Sequence, residues 1–149
     1  SPATWSEPQE SATAVVAPPS NLAGLFVCAI DNEPRILDGM RTMLEGWGCR
    51  VVVAGSRAEA VAEIEAAGAA PGAIIADYHL DDDDGLSVVN ALRERFGVET
   101  PAVLVTADRS DDVRDRAAAA EIRILPKPLR PAALRSLLAQ WRVTRSAAE

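Results

Sequence analysis

Five short apolar runs, each closed by a polar residue and followed by a stretch of helical periodicity, constrain this chain more than any other feature. They lie at residues 25–30 (LFVCAI), 51–54, 73–76, 102–105 and 122–125. Several are near-continuously apolar rather than alternating, as strands buried on both faces are. Strands that alternate with helices over short connections imply a parallel sheet with helices on both sides. Right-handed crossovers then bring the carboxyl ends of all the strands to one edge. That edge receives Asp31 and Asn32, then Asp77, then Thr106, then Lys127. Ligands of open α/β sheets bind at such an edge.

The helical stretches have their own signals. Pro34 suits a first helical turn, and Ile36, Met40, Met43, Leu44 and Trp47 recur at helical spacing until Gly46 and Gly48. Ser56 and Glu59 form a capping box ahead of Val61 and Ile64. Gly68, Pro71 and Gly72 break that helix before the central strand. The run Asp81–Asp84 reads as a solvated turn whose last member caps a helix with Val89, Leu92 and Phe96 facing inward. Residues 110–120 form a weak, Ala-rich helix with little to bury. The last helix begins near Pro131 and presents Leu134, Leu137, Leu138 and Trp141. Residues 1–21, with Pro2, Pro8, Pro18 and Pro19, are expected to be a linker. A single domain then covers 22–142, and 143–149 form a C-terminal tail. The chain begins at Ser1 rather than Met, as an excised fragment would.

Charge and composition exclude several classes. A net charge of −7 over 149 residues leaves no basic stripe for nucleic acid and disfavours an anionic membrane surface. No apolar run approaches the length of a membrane-spanning helix, and no basic-then-apolar leader is present. Cys28 and Cys49 lack metal spacing and are expected as free thiols of a cytoplasmic protein.

What gathers at the sheet edge suggests phosphate chemistry. Grouped carboxylates without an obvious acid partner suit a hard cation, and Mg²⁺ favours one or two carboxylates with water and phosphate oxygens. A lysine opposite them supplies a point charge for a phosphate oxygen, and a threonine hydroxyl can bond another. A carboxylate can itself attack phosphorus and form an aspartyl phosphate. Cation and lysine would offset the charge on the transferring group.

From about Leu25 to Trp141 the chain resembles the receiver domain of two-component signalling. The motifs are IDNEP at 30–34, ADYHL at 76–80 with DG at 84–85, VTA at 105–107 and PKP at 126–128. The resemblance implies a flavodoxin-like (βα)5 fold with strand order 2-1-3-4-5. It makes Asp77 the phosphoacceptor, and Asp31, Asn32 and Asp77 the holders of Mg²⁺, together with the backbone carbonyl of His79. Thr106 becomes the switch hydroxyl and Lys127 the contact to the phosphoryl group. A cis bond is expected at Lys127–Pro128. The donor would be a phosphohistidine on a histidine kinase or a histidine phosphotransfer protein, and a homodimer stays open. DNEP, WGC at 47–49 and KPLRPAALRSLL at 127–138 look most like the C-terminal receiver of a hybrid sensor histidine kinase.

Two positions depart from the family pattern. Asn32 stands where the second acid is usual, and Ile124 and Leu125 stand where an aromatic residue usually precedes the lysine. They leave a second reading, a pseudo-receiver that binds partners without phosphorylation. A Mg²⁺-dependent phosphohydrolase is a poorer fit, because His79 occupies the place two after Asp77 where such enzymes want a second acid. His79, the single histidine, is expected at the rim rather than as a general base.

Overall fold

Three strands are buried along their whole length, and they are the middle three of the sheet. The computed structural model describes residues 22–148, so the linker expected at 1–21 lies outside the described residues. In chain order the elements are β1 (Phe26–Ile30), α1 (Pro34–Gly46), β2 (Arg50–Ala54), α2 (Arg57–Ala67), β3 (Ala73–Asp77), α3 (Gly85–Phe96), β4 (Ala102–Thr106), α4 (Asp111–Ala119), β5 (Arg123–Pro126) and α5 (Pro131–Ala148). All strand pairs are parallel and the order is β2-β1-β3-β4-β5, as expected. Successive side chains of a strand point to opposite faces, so the two helical layers have separate cores. Cys28, Ile74 and Leu104 meet Ile64 of α2, Leu92 of α3 and Val113 of α4 on one face. Val27, Ile75 and Val103 meet Leu44 of α1 and Leu134 and Leu138 of α5 on the other.

Local sequence explains the element ends. Ser56 Oγ accepts from Glu59 N at 3.2 Å, as a capping box requires, but Glu59 Oε1 reaches back one residue further, to Gly55 N at 2.7 Å. Gly68 closes α2 with φ +76, a left-handed turn that a side chain would oppose. Both cysteines are buried and free. Burial pushes the Cys28 thiol up to about 12, with the Glu63 charge adding to that, so it stays a thiol and packs as a small apolar group.

Several expectations shift. Ile36 is 47% exposed, and Leu37 takes the inward place instead. The rest of the expected row, Met40, Met43, Leu44 and Trp47, does face the core, so only its first position moves. The fifth strand is 123–126 rather than 122–125, with its middle residues only half-buried, as an edge strand's are. Residues 143–148, expected as a tail, continue α5. The Lys127–Pro128 bond is cis.

Candidate functional site

The register of the sheet assembles the site. Ile30 of β1 pairs with Ala76 of β3, so Asp31 and Asp77 leave the edge side by side. Ala76 pairs with Leu104 and Asp77 with Val105, which places Thr106 one step beyond on β4. Thr106 pairs with Pro126, and Lys127 N donates to Thr106 O at 3.1 Å. Four sequence-distant residues thus reach one edge because four strands end there.

Asp77 is buried, with its side chain 7% exposed, yet both oxygens are engaged. Oδ1 accepts from His79 N at 3.3 Å and Oδ2 from Lys127 Nζ at 3.1 Å. Asp31 Oδ1 accepts from Glu33 N at 2.9 Å, which ties the carboxylate to the entrance of α1. Burial raises the Asp31 pKa above its ordinary value. The Glu33 N–H opposes that rise, the Asp77 charge adds to it and the Lys127 charge opposes it. Two carboxylates facing one another with one lysine between their demands make a site that favours added positive charge.

Asp31, Asn32, Asp77 and Lys127 line one open cleft of about 460 Å³, floored by Ile36, Met40 and Leu129. Thr106 opens instead onto a smaller one of about 210 Å³, with Asp108, Arg109 and Ile124. Its Oγ1 accepts from Asp108 N at 2.9 Å. A hydroxyl whose lone pair is already used keeps its proton for another acceptor. His79 is exposed at the rim, edge-on to Tyr78 with ring centroids 5.0 Å apart. It bridges Asp84 antiparallel, through bonds made by Tyr78 O and Leu80 N, so its own carbonyl is not used by that bridge.

The donor set fits Mg²⁺ of the kind that keeps most of its waters. Asp31 and Asp77 supply two carboxylates, and Asn32 and the His79 carbonyl are neutral oxygen donors. Among the described residues no group of three or more His, Cys, Asp or Glu side chains assembles as a metal cluster.

The run after Asp77 is a hydrogen-bonded turn. Asp84 Oδ1 caps α3 from Ser87 N at 2.7 Å, Asp83 pairs with Arg57 of α2, and Asp81 Oδ1 accepts from Asn32 Nδ2 at 2.7 Å. A Cβ added to Gly85 would stand 2.3 Å from Asp77 O, so only glycine lets α3 start against the end of β3. One group escaped the sequence reading. Arg116 of α4 donates to Tyr78 Oη at 2.9 Å and to Asp84 Oδ2 at 3.4 Å. Burial pushes the Asp84 carboxyl up, but its bonds from Ser87 and Arg116 outweigh that and hold it below its ordinary value.

The response regulator receiver domain family model matches residues 27–139. The 14.6 kDa protein of the sodA1 3′ region of Leptolyngbya boryana is 30% identical over 122 residues, covering 80% of this chain and 92% of that one. The phyllosphere-induced regulator PhyR of Methylorubrum extorquens is 39% identical over 83 residues, 54% of this chain but only 30% of that protein. The chain therefore spans less than a third of PhyR. Among solved structures, chemotaxis protein CheY4 of Vibrio cholerae superposes with a TM-score of 0.71 at 26% identity, over 79% of this chain and 98% of CheY4.

Proposed function

The chain belongs to the response regulator receiver domain family, and from that premise we propose that Asp77 is its phosphoacceptor in a Mg²⁺-dependent transfer from phosphohistidine. The observation that carries this reading is the buried Asp77 carboxylate held by Lys127 Nζ at 3.1 Å on the edge where β1, β3 and β4 end. An Asp77 oxygen attacks phosphorus, the P–N bond of the donor breaks, and an acyl phosphate forms. The imidazole leaves with the bonding pair and takes a proton. Lys127 sits where it can follow a phosphoryl oxygen, and Thr106 has its hydroxyl proton free for another. Mg²⁺, when bound by Asp31, Asn32, Asp77 and the His79 carbonyl, would offset charge on the transferring group. The donor is a histidine kinase or a histidine phosphotransfer protein. The segments at 31–34, 47–49 and 127–138 favour a place in the phosphorelay of a hybrid sensor histidine kinase. Among the described residues no helix is long and apolar enough to cross a membrane, which suits a domain working in the cytoplasm.

The second reading, a pseudo-receiver, is favoured by Asn32 and by Ile124 in place of an aromatic residue. One experiment separates the two. Incubation with acetyl phosphate and Mg²⁺ should add 80 Da (roughly, one phosphoryl group), and Asp77→Asn should abolish the adduct while leaving the fold intact. No adduct on the native chain favours the pseudo-receiver. An adduct that survives Asp77→Asn and disappears with Asp31→Asn overturns the assignment of Asp77.

A further inference from the structure

Asn32 spends its side-chain nitrogen on a residue 49 positions away: Nδ2 donates to Asp81 Oδ1 at 2.7 Å. A carboxylate can only accept, so chemistry fixes which end of the amide faces Asp81. The oxygen, Oδ1, is left as the end available to a cation beside Asp31 and Asp77. Asp81 is itself fixed. The turn it begins is tied to α2 through Asp83 and Arg57, closed by Leu80 N to Asp83 O at 3.3 Å, and anchored by the Asp84 cap of α3.

We propose that Asp81 is a positioning residue for the cation site, holding the Asn32 amide so that its oxygen faces the cation and returning from further out the negative charge that an acid at position 32 would supply. This rests on the reading of Asp31, Asn32 and Asp77 as the Mg²⁺ holders. A neutral amide oxygen is a weaker donor than a carboxylate, and a negative charge on its N–H side polarises it toward the metal. Outer partners of metal ligands act in this way, and their loss typically weakens metal affinity by about 10–100-fold. Asp81 is exposed and Asn32 half-exposed, so neither is needed for the core. The effect therefore belongs at the weak end of that range.

Titration calorimetry with Mg²⁺ on the whole chain tests this. Asp81→Ala should weaken binding about tenfold. Asp81→Asn, which keeps an acceptor for Nδ2 but loses the charge, should lie between Asp81→Ala and the native chain. In an Asn32→Asp background the effect should shrink, because no amide is left to orient and only the outlying charge of Asp81 is lost, so removing Asp81 should weaken binding by less than it does in the native chain. In metal-free protein the Asn32 side-chain amide resonance should move with Asp81→Ala, which reads the bond without any metal. Unchanged Mg²⁺ affinity in Asp81→Ala, on a native chain whose binding is lost in Asp31→Asn, overturns the role of Asp81 and leaves the cation site standing. A native chain whose Mg²⁺ binding ignores Asp31→Asn overturns the cation site itself.

Discussion

Helices α1 and α4 both begin at the edge that carries the site, yet different forces hold them. α1 has 13 residues and is fastened by packing: Leu37 and Leu44 are buried, with Met40, Met43 and Trp47 against the same core. α4 has 9 residues and buries only Val113 and Ala117. Polar bonds hold it in place. Ser110 Oγ caps it from Val113 N at 3.3 Å, and Arg116 ties it to Tyr78 and Asp84. Arg93 of α3 gathers the carbonyls just past its end, Ala120 O at 2.6 Å and Glu121 O at 3.0 Å, together with Thr100 O at 2.9 Å. Packing is indifferent to a charge that appears at Asp77. A bond to the residue after Asp77 is not. A helix held by polar bonds can answer chemistry at the site, and one held by packing presents a fixed surface beside it.

The largest expected effect tests the packing half of that contrast. Leu44→Ala should cost about 3 kcal/mol of global stability, because a fully buried leucine leaves a cavity as well as losing transfer energy. Val113→Ala in α4 should cost only about 1.5 kcal/mol, for two methyl groups' worth of burial. Urea denaturation of the two variants decides it; equal costs would mean that α4 is packed as firmly as α1.

Next comes the clamp at the far end of α4. Arg93→Met keeps the apolar stem but leaves three carbonyls without their donor, at a cost of about 2 kcal/mol. Amide exchange should quicken in α4 more than in α1. Uniform quickening across both helices would show that Arg93 stabilises the whole domain rather than one helix.

Arg116→Ala should have a smaller effect on stability than Arg93→Met, because this guanidinium is exposed enough for water to replace its bonds. Its effect on signalling should be larger than its effect on stability. β5 offers Ile124 and Leu125 where a ring would otherwise link the site to the outer edge, and Tyr78 is the single tyrosine of the chain. Beryllofluoride should change exchange in α4 of the native protein, and less in Arg116→Ala. A fluorinated Tyr78 would report the same event as a single resonance. If beryllofluoride changed α1 most, in both proteins alike, the contrast between the helices would be reversed.

The parallel sheet and the convergence of Asp31, Asp77, Thr106 and Lys127 were legible because each rests on a local pattern repeated five times, whereas the strand order followed only from the resemblance to receiver domains. Each apolar run ends at its polar residue, and parallel crossovers do the rest. The inward row of α1 was legible from Met40 to Trp47 but not at its head, since Ile36 and Leu37 are equally apolar and only the tilt of the helix on the sheet chooses between them. Arg116 to Tyr78 and Asn32 to Asp81 were not legible. Both join residues more than thirty positions apart through long or turn-borne side chains, and an arginine on a helix or an aspartate in an acidic run carries no signal of its partner.

The smallest expected effect concerns Asp31, where α1 meets the site. Burial is the main cause that raises its carboxyl pKa above the ordinary 3.8, and the Asp77 charge adds to it. The unfolded chain therefore releases this proton at lower pH than the folded one. As pH rises past 3.8 the folded state holds the proton longer and then carries the less well solvated charge, so Asp31 subtracts stability at neutral pH. Below 3.8 both states are protonated and the penalty vanishes. Asp31→Asn removes the charge but keeps Oδ1 for the Glu33 N–H that starts α1. In chelator at pH 7 the variant should melt above the native chain, and the gap should close as pH falls toward 4. Added Mg²⁺ should raise the native melting temperature and leave that of the variant where it was. A gap that stays constant with pH would place the gain in packing at the head of α1. A variant less stable at pH 7 would mean that the Lys127 attraction outweighs burial, and that the native edge already holds its charges in balance.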